Sequence, residues 1–348
     1  MYIIDQNVQN QEWDDFVKQQ TYTLFVQSPN YGRFYDTIGE QFWIWGIRNE
    51  MGQLLGGSLI LSVHAKRGNF LYLPYGPLLA SSCNDEDRSN ALSDFFSQLK
   101  KFTHDAGYHF IRSSPFLANT AEWQDIFSTI GFRSAPMHIL AEHTWLLNLS
   151  SREEELLRGM DKNHRNLIRR CEKEGVRVVM DTTQEALNDF NTLHDITAGR
   201  HNFHRFSQEY IQKEFEAFAQ QQESVIFRAY LPDGRLDSAG IFMFFGTMSA
   251  YRHGASLAAN KHIPTSYILQ WEAIKEARRR GCRWHNFWGV APDNAGPNHP
   301  FKGITHFKKG FGGQGLSLVS CLDLPVSYRY WLNWFIEKAR SIRRGFNK

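Results

Sequence analysis

The chain repeats one pattern of predicted strands and helices, and this repeat constrains its fold more than any other feature. In each half, a predicted hairpin of two strands leads into a helix, and the helix leads into a third strand. Three pairs of glycines mark corresponding points at similar separations: Gly56 and Gly240 are 184 positions apart, Gly76 and Gly254 are 178 apart, and Gly107 and Gly281 are 174 apart. Two copies of one α/β unit account for this spacing; the alternative is two unrelated α/β units with similar turns.

Each predicted helix of the repeat ends at a glycine. The first covers residues 90–106 before Gly107, and the second covers 266–280 before Gly281. Glycine is a typical C-cap because it adopts the left-handed conformation without steric cost. The order of hairpin, helix and strand resembles GNAT-type acyltransferases, in which the central strands splay to admit an acyl donor. The predicted fold class is α/β, with two tandem GNAT-like acyltransferase units whose mixed twisted sheets are flanked by helices.

The length of the chain favours two domains, because 348 residues are many for a single core. We expect the first GNAT-like unit over residues 1–145 and the second over 146–318. A C-terminal helical segment over 319–348 is expected to pack back on the first unit.

The composition is that of a soluble globular protein, with 42% hydrophobic and 22% charged residues. The net charge of +3 argues against a strongly basic nucleic-acid binder, although local basic faces remain possible. The first residues lack a basic region and a long apolar run, so we expect no signal peptide, and no apolar stretch is long enough to span a bilayer. Its four cysteines are far apart and match no metal spacing. We therefore expect a cytoplasmic, monomeric protein with reduced thiols.

A lysine lies in the glycine- and aromatic-rich segment 307–313, FKKGFGG, and eighteen residues earlier a predicted strand ends in Phe287-Trp288-Gly289. Glycines allow the backbone to approach a ligand closely, and an apolar setting strengthens the electric field of an ammonium group at a reacting atom. The segment therefore favours a pocket lysine; the alternative is a turn with a solvated lysine.

A basic stripe follows one face of a helix that is predicted from Ser150 or Ser151 to about Glu174. Its members recur at three- and four-residue steps: Lys162, Arg165, Arg169 and Lys173. Such a stripe is either a solvated helix face or a contact surface for polyanionic phosphates.

The sequence predicts no metal site and no cofactor. His194, His201 and His204 cluster, but no cysteine or acidic partner has a matching spacing. The chain lacks a phosphate-binding loop and a nucleophile elbow, and its glycine-dense stretch 310–315 does not open a helix after a strand. A convincing acetyl-CoA loop is also missing, which argues against a CoA donor.

Taken together in order, these segments resemble the Fem family of peptidoglycan-branching enzymes, and the resemblance covers essentially the whole chain. The motifs that carry it are Gln27-Ser28, Tyr31-Gly32, Tyr75-Gly76-Pro77, 160–169 (MDKNHRNLIR), 173–176 (KEGV), 251–256 (YRHGAS), Phe287-Trp288-Gly289 and 307–313 (FKKGFGG). Long heptad runs are absent, so the resemblance implies the compact form without a coiled-coil arm.

The resemblance implies a transferase that takes an amino acid from aminoacyl-tRNA and adds it to the stem-peptide amine of a UDP- or lipid-linked muropeptide during cell-wall bridge formation. The aminoacyl-tRNA is then a co-substrate, and no cofactor is needed. In the family, the lysine after a phenylalanine sits at the reacting centre, which maps to Phe307 and Lys308. The implied role of Lys308 is to stabilise the tetrahedral oxyanion.

The resemblance also implies substrate contacts. Arg205, Tyr210 and Tyr251 match the family's contacts to the precursor diphosphate, and Tyr251 could alternatively be a half-buried strand tyrosine. The stripe of Lys162, Arg165 and Arg169 matches a helix that could face tRNA or precursor phosphates.

Two departures from the family pattern bear on function. The family often has a Trp-Gly pair followed by a lysine, whereas in this chain Tyr31-Gly32 is followed by Arg33-Phe34-Tyr35. Arg33 and Tyr35 are predicted to bind substrate. The strand ending 112–115, RSSP, lacks the carboxylate that often precedes the proline, so no general base is identified. Two alternatives therefore stay open: an acyltransferase that uses a different donor on another cell-envelope or exopolysaccharide amine, and an inert module that binds a nucleotide sugar or RNA.

The C-terminal segment combines basic and aromatic residues: Lys338, Arg340, Arg343, Arg344 and Lys348 near Trp331, Trp334 and Phe335. This pattern suits peripheral contact with the anionic inner surface of the membrane. The alternative is a packed helix with a basic end.

Overall fold

The computed structural model describes residues 2–65, 68–83, 85–201, 205–296, 299 and 301–343. The elements up to residue 134 are, in chain order, β1 (Ile3–Asp5), α1 (Asn10–Lys18), a 3-10 turn (Phe25–Gln27), α2 (Pro29–Thr37), β2 (Phe42–Arg48), β3 (Leu54–Ala65), β4 (Gly68–Tyr75), β5 (Leu78–Leu79), α3 (Asp85–Asp105), β6 (Phe110–Pro115), α4 (Ala121–Ile130) and β7 (Arg133–Ser134).

The elements that follow are β8 (His143–Asn148), α5 (Glu153–Gly159), α6 (Lys162–Lys173), β9 (Arg177–Asp181), α7 (Gln184–His201), α8 (Gln208–Ala219), β10 (Ser224–Tyr230), β11 (Leu236–Phe245), β12 (Met248–Ser256), α9 (Thr265–Arg279), β13 (Trp284–Gly289), α10 (Lys302–Lys309), β14 (Gln314–Ser317), β15 (Leu322–Pro325) and α11 (Tyr330–Arg343). They form two units, Met1–His143 with Leu316–Lys348, and Thr144–Gly315.

The first unit is built on a mixed sheet with the strand order β1-β2-β3-β4-β6-β15-β7, to which β5 adds beside β3. Its strands carry nearly continuous apolar runs because helices cover the sheet. The core contains large buried aromatic side chains, among them Trp45, Phe95, Phe96 and Phe127. The strand β15 pairs with β6, so the chain returns to this sheet after residue 315.

The second unit is built on a mixed sheet with the order β14-β8-β13-β12-β11-β10-β9. Its core contains the buried side chains of Phe227, Phe242, Trp271, Phe287 and Phe311. The predicted α/β class with mixed sheets and flanking helices is therefore confirmed for both units.

The central parallel strands behave differently in the two units. In the first unit, β4 and β6 stay paired along their length, with Leu71–Tyr75 opposite Ile111–Pro115. In the second unit, β12 and β13 pair only over Met248–Ala250 and Trp284–Asn286, although β12 continues to Ser256. The splay expected of a GNAT-like unit is therefore present in the second unit, where it starts beside Tyr251.

The predicted glycine caps are confirmed, whereas the single helix predicted over 150–174 is wrong. Gly107 and Gly281 have φ of +79° and +78°, the left-handed conformation expected of a C-cap. Between α5 and α6 the chain is extended at Met160, with φ −74° and ψ 160°. The break is stabilised from outside the helix, because the Asp161 backbone amide donates to the Gly310 carbonyl at 2.9 Å.

Candidate active site

The site begins where β12 and β13 separate, at a residue with an unusual backbone conformation. Trp288 has φ +65°, a region that residues other than glycine rarely adopt. The Asn286 side chain supports this turn, because its Oδ1 accepts from the Trp288 amide at 2.8 Å and from Thr144 Oγ1 at 2.6 Å. Pairing with β8 shifts register between Asn286 and Gly289, so this end of β13 leaves the regular ladder.

Lys308 reaches the same turn from the last turn of α10. Its Nζ donates to the Gly289 carbonyl at 2.6 Å, and the residue is only 7% exposed. Burial lowers the pKa of the Lys308 ammonium from its ordinary 10.5 to about 7. Among the described residues, Nζ donates only to the Gly289 carbonyl. Because an ammonium group has three N–H donors, the others remain available to a ligand.

A buried ion cluster holds Arg252, which lies on β12. The Arg252 guanidinium lies 5.3 Å from the centre of the Trp288 ring and 2.7 Å from Glu214. His253 Nε2 lies 3.0 Å from the same carboxylate. Burial by itself would raise the pKa of Glu214, but Arg252 and His253 outweigh it and lower that pKa to about 2. Glu214 is therefore an anion that fixes Arg252 beside Trp288.

Tyr210 is linked to this cluster through Phe206, whereas Arg205 contacts other side chains. The Tyr210 ring stacks on Phe206 at 4.6 Å, and Arg252 lies 5.9 Å from the Phe206 ring. Contacts therefore run from Tyr210 through Phe206 and Arg252 to Trp288. Arg205 donates to Asn191 Oδ1 at 2.7 Å and contacts Asp195 at 2.5 Å.

Tyr251 is half-buried and packs within its own sheet. Its ring stacks on Phe242 at 5.1 Å, and a Cβ at Gly254 would lie 1.7 Å from its hydroxyl oxygen. Burial raises the pKa of the Tyr251 hydroxyl to about 12, so it acts as a neutral group at physiological pH. These contacts fit the strand-tyrosine alternative as well as a substrate contact, and the binding role stays a prediction.

His164 and Phe307 join the start of α6 to the end of α10. The fully buried His164 donates from Nε2 to the Phe307 carbonyl at 2.9 Å. The Phe307 ring packs on Tyr267 and Phe311, at 5.1 and 5.2 Å. Phe307 therefore helps to position the segment that carries Lys308, and its catalytic role stays a prediction.

Gly310 is required by this packing and not by its backbone, since its φ of −67° suits any residue. A Cβ there would lie 1.9 Å from His164 Cε1, inside contact distance. We expect Gly310→Ala to lower the free energy of unfolding by about 1–3 kcal/mol, as overpacking does, and to lower activity by shifting Lys308. Chemical denaturation and a transfer assay measure the two effects.

Gly303→Ala is the matched control, because Gly303 lies in the same helix and no described residue outside that helix's own backbone comes within 4 Å of its added Cβ. We expect it to raise stability by up to about 1 kcal/mol through helix propensity. Equal losses of stability and activity in the two variants would show that α10 tolerates no alanine. The steric clash with His164 would then not explain the effect of Gly310→Ala.

The basic stripe is only partly free for ligands. Lys162, Arg169 and Lys173 are exposed on α6, whereas the half-buried Arg165 donates to the carbonyls of Arg158 and Met160. Arg165 thus caps the end of α5. Phosphate contact by this stripe stays a prediction.

Arg33 and Tyr35 lie on α2 in the first unit. Arg33 is exposed and its guanidinium donates to Asn30 Oδ1. Tyr35 is buried in an aromatic cluster, 5.3 Å from the Tyr31 ring and 5.2 Å from the Phe34 ring. Their substrate roles stay predictions, and the burial of Tyr35 favours a packing role.

Within the described part of the chain, no group of three His, Cys, Asp or Glu side chains is placed to hold a metal ion. His194 is buried and His201 is exposed, while His204 lies outside the described residues. In the same part of the chain, no helix has the length and apolar character needed to cross a membrane.

Sequence reasoning missed several residues of the site: Asn286, Trp288, Arg252, Glu214 and His164. Trp288 and Arg252 lie inside two of the motifs, but nothing in their spacing indicates that Trp288 adopts a left-handed backbone conformation or that Arg252 is ion-paired. His164 could have been found from its helical position, since it falls between the buried Met160 and Ile168 at four-residue steps.

Known proteins match this chain in sequence and in fold. The sequence profile of the FemAB family matches residues 8–237 and 236–338. Aminoacyltransferase FemA of Staphylococcus aureus is 30% identical over 90 residues, which is 26% of this chain. That match spans 21% of the relative, about a fifth of its length.

Among solved structures, a crystal structure of FemX superposes with a TM-score of 0.82 at 18% identity, covering 97% of this chain and 100% of that one. L-PGS from Bacillus licheniformis gives 0.56 at 13% identity over 96% and 98% of the two chains. A tandem GNAT protein from the clavulanic acid pathway gives 0.56 at 10% identity, over 94% and 99%. These likenesses confirm the predicted fold of two GNAT-like units, and the profile match shows that the chain belongs to the FemAB family.

Proposed function

We propose that this protein is an aminoacyltransferase that moves an amino acid from aminoacyl-tRNA to the stem-peptide amine of a peptidoglycan precursor. The observation that carries the proposal is Lys308, a buried ammonium beside the opening between β12 and β13. Membership of the FemAB family and the partial match to an aminoacyltransferase support the same chemistry.

The proposed reaction forms a C–N bond and breaks an ester C–O bond. The acceptor amine attacks the ester carbonyl carbon, and the carbonyl oxygen carries the negative charge of the tetrahedral intermediate. The Lys308 ammonium donates a hydrogen bond to that oxygen, in a setting where low dielectric strengthens it. Collapse releases the ribose oxygen of the tRNA, which takes up a proton while the amine loses one. Because the ester is already activated, positioning supplies much of the rate.

Substrate binding is proposed to use Tyr210, Arg205 and Tyr251 for the precursor diphosphate, and the α6 stripe for tRNA or precursor phosphates. Contacts link Tyr210 to Trp288 through Phe206 and Arg252, which supports its part in the site. Arg205 is held by Asp195, so an incoming phosphate would compete with that exposed carboxylate. We place the enzyme in the cytoplasm, at the inner face of the membrane when the acceptor is lipid-linked.

An in vitro transfer assay tests the proposal directly. Purified protein is incubated with mixed aminoacyl-tRNAs and with either UDP-linked or lipid-linked muropeptide, and mass spectrometry identifies the product. We expect one amino-acid mass to be added to at least one precursor, and RNase treatment of the donor to abolish the addition. Addition that survives RNase would remove tRNA as the donor, and the absence of addition to both precursors would remove peptidoglycan as the acceptor.

A different donor or acceptor is favoured by one feature of the first unit. Where the family often carries a carboxylate, directly before Pro115, β6 has Ser114, which is buried. Ser114 Oγ donates to Cys321 Sγ at 3.4 Å, so it is occupied within the unit. The second candidate function is therefore transfer to another cell-envelope amine. RNase-resistant acylation of such an amine would favour it.

The pH dependence of transfer tests the charge state of Lys308. The ammonium form predominates below its pKa of about 7, so we expect the rate advantage of the wild type over Lys308→Met to fall as the pH rises through 7. Taking this ratio removes the titration of the acceptor amine, which both proteins share. An advantage that grows through pH 7 would instead assign Lys308 as a proton acceptor.

Stability has the opposite dependence on pH. The unfolded chain keeps the Lys308 proton up to about pH 10.5, whereas the folded chain releases it near pH 7. The unfolded state therefore binds more protons in this window, and the free energy of unfolding should rise with pH relative to Lys308→Met. Denaturation at several pH values measures this difference.

A further inference from the structure

The helix α11 has its polar and apolar faces reversed with respect to an ordinary surface helix. Its buried stripe is Tyr330, Asn333, Glu337 and Ser341, at steps of three and four residues. Its exposed side carries Trp331, Leu332, Phe335 and Ile342, of which Leu332 and Phe335 are 65% and 64% exposed. With Tyr328, this stretch holds five of the twelve exposed large hydrophobic side chains of the described residues, so the apolar surface is concentrated here.

Buried ion pairs prevent the helix from turning its apolar side inward. Glu337 contacts the Arg112 guanidinium at 2.7 Å, and Asp323 contacts it at 2.7 Å. Arg112 is 2% exposed. Rotation of α11 would leave this guanidinium without one of its carboxylates in the interior, which is costly. The ion pairs of Arg112 therefore fix α11 in the orientation that leaves Leu332 and Phe335 exposed.

The described charges on the exposed side of α11, and at Arg329 just before it, are basic. Arg329 and Arg340 are exposed and Lys338 is half-buried, while Glu337, the acidic residue of α11, is on the buried side. Arg133 also lies 5.4 Å from the Trp331 ring. The side chains of Arg343, Arg344 and Lys348 are outside the described residues. An anionic partner with an apolar interior fits this surface.

We propose that the α11 face, defined as Tyr328, Trp331, Leu332, Phe335 and Ile342 with Arg329, Lys338 and Arg340, docks the protein on an anionic lipid bilayer. The helix lies along the surface, the apolar side chains enter the acyl boundary, and the basic residues meet lipid phosphates. A second copy of the chain fits less well, because a two-fold contact through this face would bring the same basic residues together.

Membrane docking through α11 rests on the part of the proposed function that places the enzyme at the inner face of the membrane. It does not depend on the transfer chemistry. Its test is sedimentation of the full chain with vesicles of phosphatidylcholine alone and of phosphatidylcholine mixed with phosphatidylglycerol. We expect binding to the mixed vesicles that weakens with added salt, and little binding to the neutral ones.

Two double variants separate the apolar and the charged contributions. Leu332→Ser with Phe335→Ser should weaken binding by about tenfold or more, because two inserted side chains are lost. Lys338→Gln with Arg340→Gln should weaken binding to the mixed vesicles by about tenfold and should not change binding to the neutral vesicles. Met51→Ser is the matched control, since Met51 is 86% exposed in the connection between β2 and β3 and its loss should leave vesicle binding unchanged. Circular dichroism confirms that each variant is folded.

Several outcomes would overturn the proposal. One is a wild type that binds neither vesicle. Another is a wild type that forms a dimer which the Leu332→Ser, Phe335→Ser variant dissociates, since this assigns the face to a second copy. Equal loss in Met51→Ser would also count against it. Lys308→Met should bind vesicles like the wild type while losing transfer, so failure of docking and failure of the chemistry are distinguishable.

Discussion

Lys308→Met is expected to lower the kcat of aminoacyl transfer by about 10²–10³, the usual cost of removing one oxyanion donor. Methionine keeps the length and apolar stem of the side chain, so the pocket stays filled while the ammonium is lost. The Gly289 carbonyl, which accepts from Nζ at 2.6 Å, loses that donor. Single-turnover rates with saturating precursor separate this chemical effect from weakened binding.

Lys309→Met is the matched control, one residue away on the same helix. The Lys309 ammonium contacts Asp293 at 2.8 Å and lies 4.9 Å from the Trp145 ring. Asp293 is almost fully exposed, so this ion pair contributes at most about 1 kcal/mol. We expect transfer to change by less than about fivefold. Similar losses in the two variants would mean that the helix, and not the buried ammonium, limits the reaction.

Arg112→Met is expected to lower the free energy of unfolding by about 3–5 kcal/mol, the cost of breaking a buried ion pair from one side. The Arg112 guanidinium donates to Asp323 at 2.7 and 2.9 Å and to Glu337 at 3.2 and 2.7 Å. Its removal leaves the buried Asp323 carboxylate and the nearly buried Glu337 without a cation. Urea denaturation followed by tryptophan fluorescence measures the loss.

Arg133→Met is the control for the loss of stability expected of Arg112→Met. Arg133 is exposed and contacts the Trp331 ring, so we expect a change within about 1 kcal/mol. Adding Asp323→Asn to Arg112→Met should recover part of the loss, because one uncompensated charge is removed. A loss below about 1 kcal/mol in Arg112→Met would contradict the view that this ion cluster anchors α11.

The elements of the repeat could be predicted because their signals are local. The helices α3 and α9 were expected over 90–106 and 266–280, and they cover Asp85–Asp105 and Thr265–Arg279. Apolar periodicity and glycine caps depend on neighbours a few residues apart, which the chain displays directly. The break between α5 and α6 was missed because it depends on Gly310, far along the chain.

The candidate site was predictable only in part, for a related reason. Lys308 stood out by its aromatic and glycine neighbours, but its burial and lowered pKa arise from packing. Arg252 depends on Glu214, 38 residues away, and no spacing rule connects them. The motif around Trp288 could be recognised in the sequence, but its left-handed backbone conformation could not be predicted. A tryptophan has no local preference for that conformation.

The amino-acid sequence by itself determined the two repeated α/β units, their glycine-capped helices, the family, and the lysine nominated for chemistry. These follow from short-range preferences and from motifs in a fixed order. Only the tertiary structure decided where β12 and β13 part, that Lys308 is buried beside Gly289, and that α11 turns its apolar side outward. Each of these depends on contacts between distant segments, because burial and ion pairing are properties of the packed chain and not of any segment alone.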